Sequence, residues 1–127
     1  MNRYKSINVM DYLIAEANKV LSVLIGETTE NAWRVVQTDT SPSFPSVIFR
    51  VVAERRSGAI RKIAAPVAYQ YAMVACALDY TTVARLDGML VEHFSNDHRV
   101  LASADVEDTF EKLDHYILQR VRLITVT

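Results

Sequence analysis

Between residues 9 and 25, Leu13, Ala17, Val20, Leu21 and Leu24 recur at helical spacing, while Asp11, Glu16 and Lys19 fall off that stripe. Asn8 stands where a capping side chain would sit, and Asp11 follows three residues later as in a capping box. Gly26 occupies the position at which helices commonly end in a left-handed residue. The pattern predicts a helix over Val9–Ile25.

The periodicity then changes. Ala32–Asp39 carries Trp33, Val35 and Val36 and predicts a short strand. Thr38–Pro45 is turn material whose two prolines exclude helix. Ser46–Arg55 alternates, with Val47, Phe49 and Val51 on one face and Ile48, Arg50, Val52 and Glu54 on the other. Arg56–Ala65, with Ser57-Gly58, is too long for a tight turn and predicts a projecting hairpin connection. Pro66–Leu78 follows as a long strand. Val67, Tyr69, Tyr71 and Met73 share one face, and Ala68, Ala72, Val74 and Cys76 make the other face apolar as well. A strand apolar on both sides is covered on both, by its own helices or by another subunit.

Val83, Leu86, Leu90 and Phe94, widened by Val91, predict a second helix over Thr82–Phe94 with Asp79 or Thr81 as its cap. Gly88 lies inside it, where glycine costs about 1 kcal/mol relative to alanine and often permits close packing. Ser95-Asn96-Asp97 ends it. Arg99–Asp108 reads as a polar-leaning strand, Thr109–Leu113 as a turn or helical fragment, and His115–Val126 as a final strand rich in β-branched and aromatic residues. The expected order is α-β-β-β-α-β-β: an α+β fold with two helices on a mainly antiparallel sheet. Residues 1–127 make a single domain, since this length leaves little room for two.

Composition narrows the function. Half the residues are apolar, enough for one packed core, and the 23% charged is ordinary. A net charge of −1 argues against binding nucleic acid through the whole surface. The single cysteine, Cys76, has apolar neighbours, forms no intrachain disulfide and reads as a small buried hydrophobe. Met1–Ser6 lacks a signal-peptide pattern, and the apolar runs are shorter than a bilayer span, so no membrane role and synthesis in the cytoplasm are expected.

The chemistry-bearing residues suggest no enzyme. His93, His98 and His115 lack metal or catalytic spacing and read as solvated or interface residues. The glycines at positions 26, 58 and 88 compose no phosphate-cradling loop, and Ser57-Gly58 is no nucleophile elbow. No cofactor or metal is expected. The charges are more informative. Arg50, Arg55, Arg56, Arg61 and Lys62 stand against Glu54 alone. Asp105, Glu107, Asp108, Glu111 and Asp114 stand against Lys112 alone. They read as two solvated loops, as complementary surfaces through which one copy docks on the next, or, for the basic set, as a contact for DNA phosphates. The interface reading picks out the basic set together with Asp105, Glu107, Asp108 and Glu111.

One stretch has a family likeness. Phe-Pro-Ser-Val-Ile-Phe-Arg-Val-Val at Phe44–Val52 leads into a projecting loop. The strand Val67–Asp79 then runs into the helix holding Leu86-Asp87-Gly88-Met89-Leu90, and the chain closes with the strand Tyr116–Val126. Over residues 44–127 this resembles the tail-terminator, or tail-completion, proteins of long-tailed bacteriophages, and the N-terminal helix ahead of a proline-containing loop fits the same layout. The basic loop Arg56–Ala65 departs from it. The resemblance implies a structural virion protein of the tail–neck region, assembled in the host cytoplasm. It implies a homo-hexameric ring that caps the tail tube protein and joins it to a neck or stopper protein. DNA would pass through the lumen without sequence-specific binding. Another head–tail connector or stopper subunit, or a small oligomeric α+β ligand-binding domain, is the alternative.

Overall fold

A computed structural model describes residues 2–34, 43–56, 67–112 and 116–127. In chain order the elements are α1 (Asn2–Ile25), β1 (Ala32–Arg34), β2 (Ser46–Arg56), β3 (Val67–Ala77), α2 (Tyr80–Phe94), β4 (Val100–Lys112) and β5 (Tyr116–Val126). This is the α-β-β-β-α-β-β order that the hydrophobic pattern predicts. The strands form one sheet in the order β1-β2-β3-β5-β4. Every pairing is antiparallel except β1 with β2, where Ala32, Trp33 and Arg34 lie parallel to Val47, Ile48 and Phe49.

The core lies between the two helices and one sheet face. Leu13, Ala17 and Leu21 of α1 and Leu86, Leu90 and Phe94 of α2 pack with Phe49, Tyr71, Met73 and Ile124. Each large side chain fully buried here contributes about 1.5–3 kcal/mol. The opposite face of β3 carries a second cluster of Ala72, Val74 and Cys76 with Ile117, against which Phe44, Ile48 and Val121 pack. The two-sided apolar strand is therefore the sheet's central strand, and Cys76 is buried within it.

Several boundaries differ from the sequence expectation. Helix α1 begins at Asn2, so Asn8 lies within it rather than at its start. The first residues contain no Gly or Pro, and one interior Asn costs only a few tenths of a kcal/mol, too little to stop a helix. Gly26 does end it, at φ +88°. Helix α2 begins at Tyr80, and of the two proposed caps Asp79 is the one used, accepting from the Thr82 amide. Its stripe of Val83, Leu86, Leu90 and Phe94 is buried. Gly88 is exposed, and a Cβ built there would meet nothing within 4 Å among the described residues, so it serves no close packing among them. Thr109–Lys112 is neither turn nor helix but the continuation of β4, paired through to Lys112↔Tyr116. Thr109 and Phe110 favour strand, and the surrounding acids obscure the alternation in the sequence. For the predicted strand Ala32–Asp39, positions 35–39 lie outside the described residues, as do the body of the predicted connection Arg56–Ala65 and His115.

Candidate functional site

The acidic residues singled out in the sequence fall on one element. Asp105, Glu107, Asp108 and Glu111 all belong to β4, which among the described residues is an edge strand paired with β5. Asp105 and Glu107 are exposed. Asp108 is engaged within its own copy. Arg120, directly across on β5, gives it two hydrogen bonds, Nε to Oδ1 at 2.8 Å and Nη2 to Oδ2 at 2.9 Å. That arginine holds the Asp108 carboxyl below its usual range, outweighing a smaller upward effect of burial. Arg120 also donates to the Tyr80 hydroxyl at 2.8 Å and lies over the Tyr80 ring at 5.3 Å. Beside this group Phe110 is 64% exposed and Tyr80 60% exposed. The acidic strand therefore also presents aromatic surface, of the type enriched where proteins bind tightly.

A break in pairing separates this stretch from the start of β4. Ala102 pairs with Ile124 and Val106 with Arg122, so β4 carries two more residues than β5 between these points. Ser103 fixes the bulge. Its hydroxyl accepts from the Leu123 amide at 3.3 Å and donates to the Asp105 carbonyl at 2.9 Å, and its own carbonyl accepts from Arg122 Nη1. Arg122 in turn grips the buried Asp87 of α2 through Nε–Oδ1 at 3.0 Å and Nη2–Oδ2 at 2.7 Å. Asp87, Arg122 and Ser103 thus tie the middle of α2 to the bend of the edge strand. Sequence reasoning missed this link, although a signal existed. Asp87 is four residues from Val83 and three from Leu90, on the apolar stripe itself, where a buried acid requires a cation.

The basic residues lie on the other side of the sheet. Arg50 is exposed on β2, opposite Ala72 of β3. Arg55 and Arg56 end β2, their backbones opposite Ala68 and Val67. Arg61 and Lys62, like Asp114, lie outside the described residues. On β2 the exposed residues beside Arg50 are Val51 and Val52. Among described strands, only β1 lies on the outer side of β2, and it reaches only from Val47 to Phe49. The fold does not bring the basic and acidic sets together. It places the acids on β4 and the arginines on β2, with β5 and β3 between them; by register Asp108 and Glu111 lie towards the opposite end from Arg55 and Arg56, while Asp105, in the bulge, is nearly level with Arg50. Asp108 is level with Arg120, Ala75 and Val47, whereas the arginines lie at Arg50 and beyond.

The remaining chemistry is sparse. His93 Nε2 lies 3.0 Å from Glu16 Oε1, joining α2 to α1, and Lys19 Nζ lies 2.7 Å from Glu16 Oε2. Lys19, first, and His93 hold Glu16 below its usual range, against the opposing effect of burial. Beside them is a solvent-open hollow of about 330 Å³ whose lining includes Val20, Val23, Met89, Glu92 and His93. His98 is exposed in the turn after α2. Its neighbour Asp97 accepts hydrogen bonds from the backbone and side chain of Arg99 and, at 2.6 Å, from the Tyr12 hydroxyl. Among the described residues no three His, Cys, Asp or Glu side chains gather as a metal-binding set, and no helix is long and apolar enough to cross a membrane. No protein-family model matches this chain, and no match to it is found among curated proteins.

Proposed function

We propose that the chain is a structural ring subunit of the tail-terminator type. Copies close into a ring of about six that caps a tail tube and meets a neck protein, with DNA passing through the hole. The observation that carries the reading is the polarity of the sheet. One edge strand bears Asp105, Glu107, Asp108 and Glu111 beside exposed Phe110; the strand at the other side bears Arg50, Arg55 and Arg56 beside exposed Val51 and Val52. Unlike surfaces on opposite sides of one subunit suit a head-to-tail contact, which closes into a ring when the rotation allows. The element order and the resemblance over residues 44–127 support the phage setting in particular.

Light scattering across protein concentration and salt tests this. The expected result is a closed oligomer, either alone or on addition of a tail tube protein. Arg55→Glu with Arg56→Glu is expected to weaken assembly about tenfold or more, and raised salt to weaken the parent in the same direction. A monomer under all these conditions contradicts the proposal.

A second reading, a small oligomeric ligand-binding domain, draws on the hollow between α1 and α2 with its Glu16–His93 pair. A compact dimer or trimer unresponsive to salt would favour it.

A further inference from the structure

The bulge of β4 holds two extra residues, an even number. Strand side chains alternate, so a shift of one residue turns every side chain over, whereas a shift of two leaves each on its own face. Residues 106–112 can therefore lie on β5 in two ways. In the observed one, Val106 pairs with Arg122, Asp108 with Arg120 and Lys112 with Tyr116. In the other, pairing runs straight on from Ala102↔Ile124, setting Val106 opposite Arg120, Glu107 opposite Gln119 and Phe110 opposite Tyr116. Each of these side chains keeps its face but moves two residues, about 7 Å, along β5.

The start of β4 is tied down and takes no part in such a shift. The Val100 amide donates to the Asp97 carbonyl, the Thr127 amide donates to the Arg99 carbonyl, and the Asp97 carboxylate accepts from Tyr12 of α1. The strand ladder gives no preference for the bulge, because the straight pairing has no break and a bulge leaves residues unpaired. The Asp108–Arg120 pair does prefer it, but Asp108 lies at the surface, where ion pairs contribute little. The stronger preference is buried. Asp87 of α2 holds Nε and Nη2 of Arg122, and Nη1 of the same guanidinium reaches the Ser103 carbonyl inside the bulge. Straight pairing returns that carbonyl to the plane of the ladder, away from the helix side. It leaves a largely buried guanidinium N–H without its acceptor.

We propose that Asp87 selects the register of β4. By holding Arg122 over the bulge, it makes α2, and not the β4–β5 pair alone, decide between two pairings that the alternation of side chains permits equally. The consequence is positional: α2 sets where along the sheet Glu107, Asp108 and Phe110 are presented. None of this depends on the ring reading.

Paired cysteines read the register. Thr109→Cys with Gln119→Cys places two thiols opposite each other in the observed pairing. Glu107→Cys with Gln119→Cys does so only in the straight one; in the observed pairing these positions are diagonal, about 7–8 Å apart and outside disulfide reach. Cys76 is buried and does not compete. Under mild oxidation, with links within one chain mapped by peptide mass, the parent is expected to close the first pair and leave the second open. Adding Asp87→Asn is expected to lose most of the first link and gain the second. Arg122→Lys keeps the buried charges balanced but lacks the fork, so it is expected to do the same, and it carries the test if Asp87→Asn does not fold. Asp108→Ala removes the surface pair and is expected to keep the parent pattern. The inference is overturned if folded Asp87→Asn and Arg122→Lys both keep the parent pattern or lose both links, or if Asp108→Ala alone moves the link. If neither Asp87→Asn nor Arg122→Lys folds, the pair is a requirement of the fold and not a selector of register, and the inference falls.

Discussion

Asp97 shows how a single exposed turn is fixed. Its carboxylate receives the Arg99 side chain, the Tyr12 hydroxyl and the Arg99 backbone amide, and these hold it well below its ordinary value of 3.8. The Asp97 carboxylate, with burial adding to it, raises the Tyr12 phenol against a smaller opposing effect of Arg99. A carboxyl depressed on folding contributes stability that is fully present above its unfolded value and is lost as pH falls through its folded value. The Asp97 contribution is therefore present above about pH 4 and is lost progressively as pH falls below it towards the depressed folded value, and Glu16 and Asp108, depressed by their cations, act in the same sense. Asp97→Asn is expected to cost about 1–3 kcal/mol near neutral pH, as loss of charged hydrogen bonds does. It should also flatten the acid limb of the melting temperature between pH 5 and pH 2.5. An unchanged limb in thermal melts would show that the turn does not carry this dependence. Asp87 is the buried counterpart, invisible in composition and legible only as an acid on the apolar stripe of α2.

At the scale of elements, what the sequence makes plain is periodicity. The stripes of α1 and α2 bury as their spacing requires, and β3 is apolar on both faces because it is the centre of the sheet. Limits between elements are harder to read, since they depend on partners distant in sequence. Thr109–Lys112 is strand because β5 pairs with it, a long-range cause that local acids hide. Asn8 is inside α1 because nothing nearby stops the helix. Gly88 is open to two readings, close packing or a plain helix defect, and the empty space around its Cβ position favours the second among the described residues. Gly88→Ala is accordingly expected to stabilise by about 1 kcal/mol, the intrinsic helix difference. Chemical denaturation would detect this as a raised midpoint at unchanged slope. A loss of stability would mean that the helix face at Gly88 is approached closely in an assembly.

For the whole molecule, the two charge clusters were visible in the sequence, but their arrangement was not. Nothing in the order of residues reveals that the basic and acidic sets occupy different strands with two others between them; that follows from the strand order β1-β2-β3-β5-β4. Nor does the sequence show that Asp108 is engaged by Arg120 while Asp105 and Glu107 remain at the surface. The position of Cys76 has a different consequence. The chain's sole thiol lies near the C-terminal end of the central strand, buried in the second apolar cluster. A thiol reagent reaches it only when the sheet parts, so its rate of modification becomes a clock for the rarest opening of the structure. That rate is expected to be very slow in buffer, to rise steeply with urea, and to fall further whenever the edges of the sheet are held by neighbouring copies.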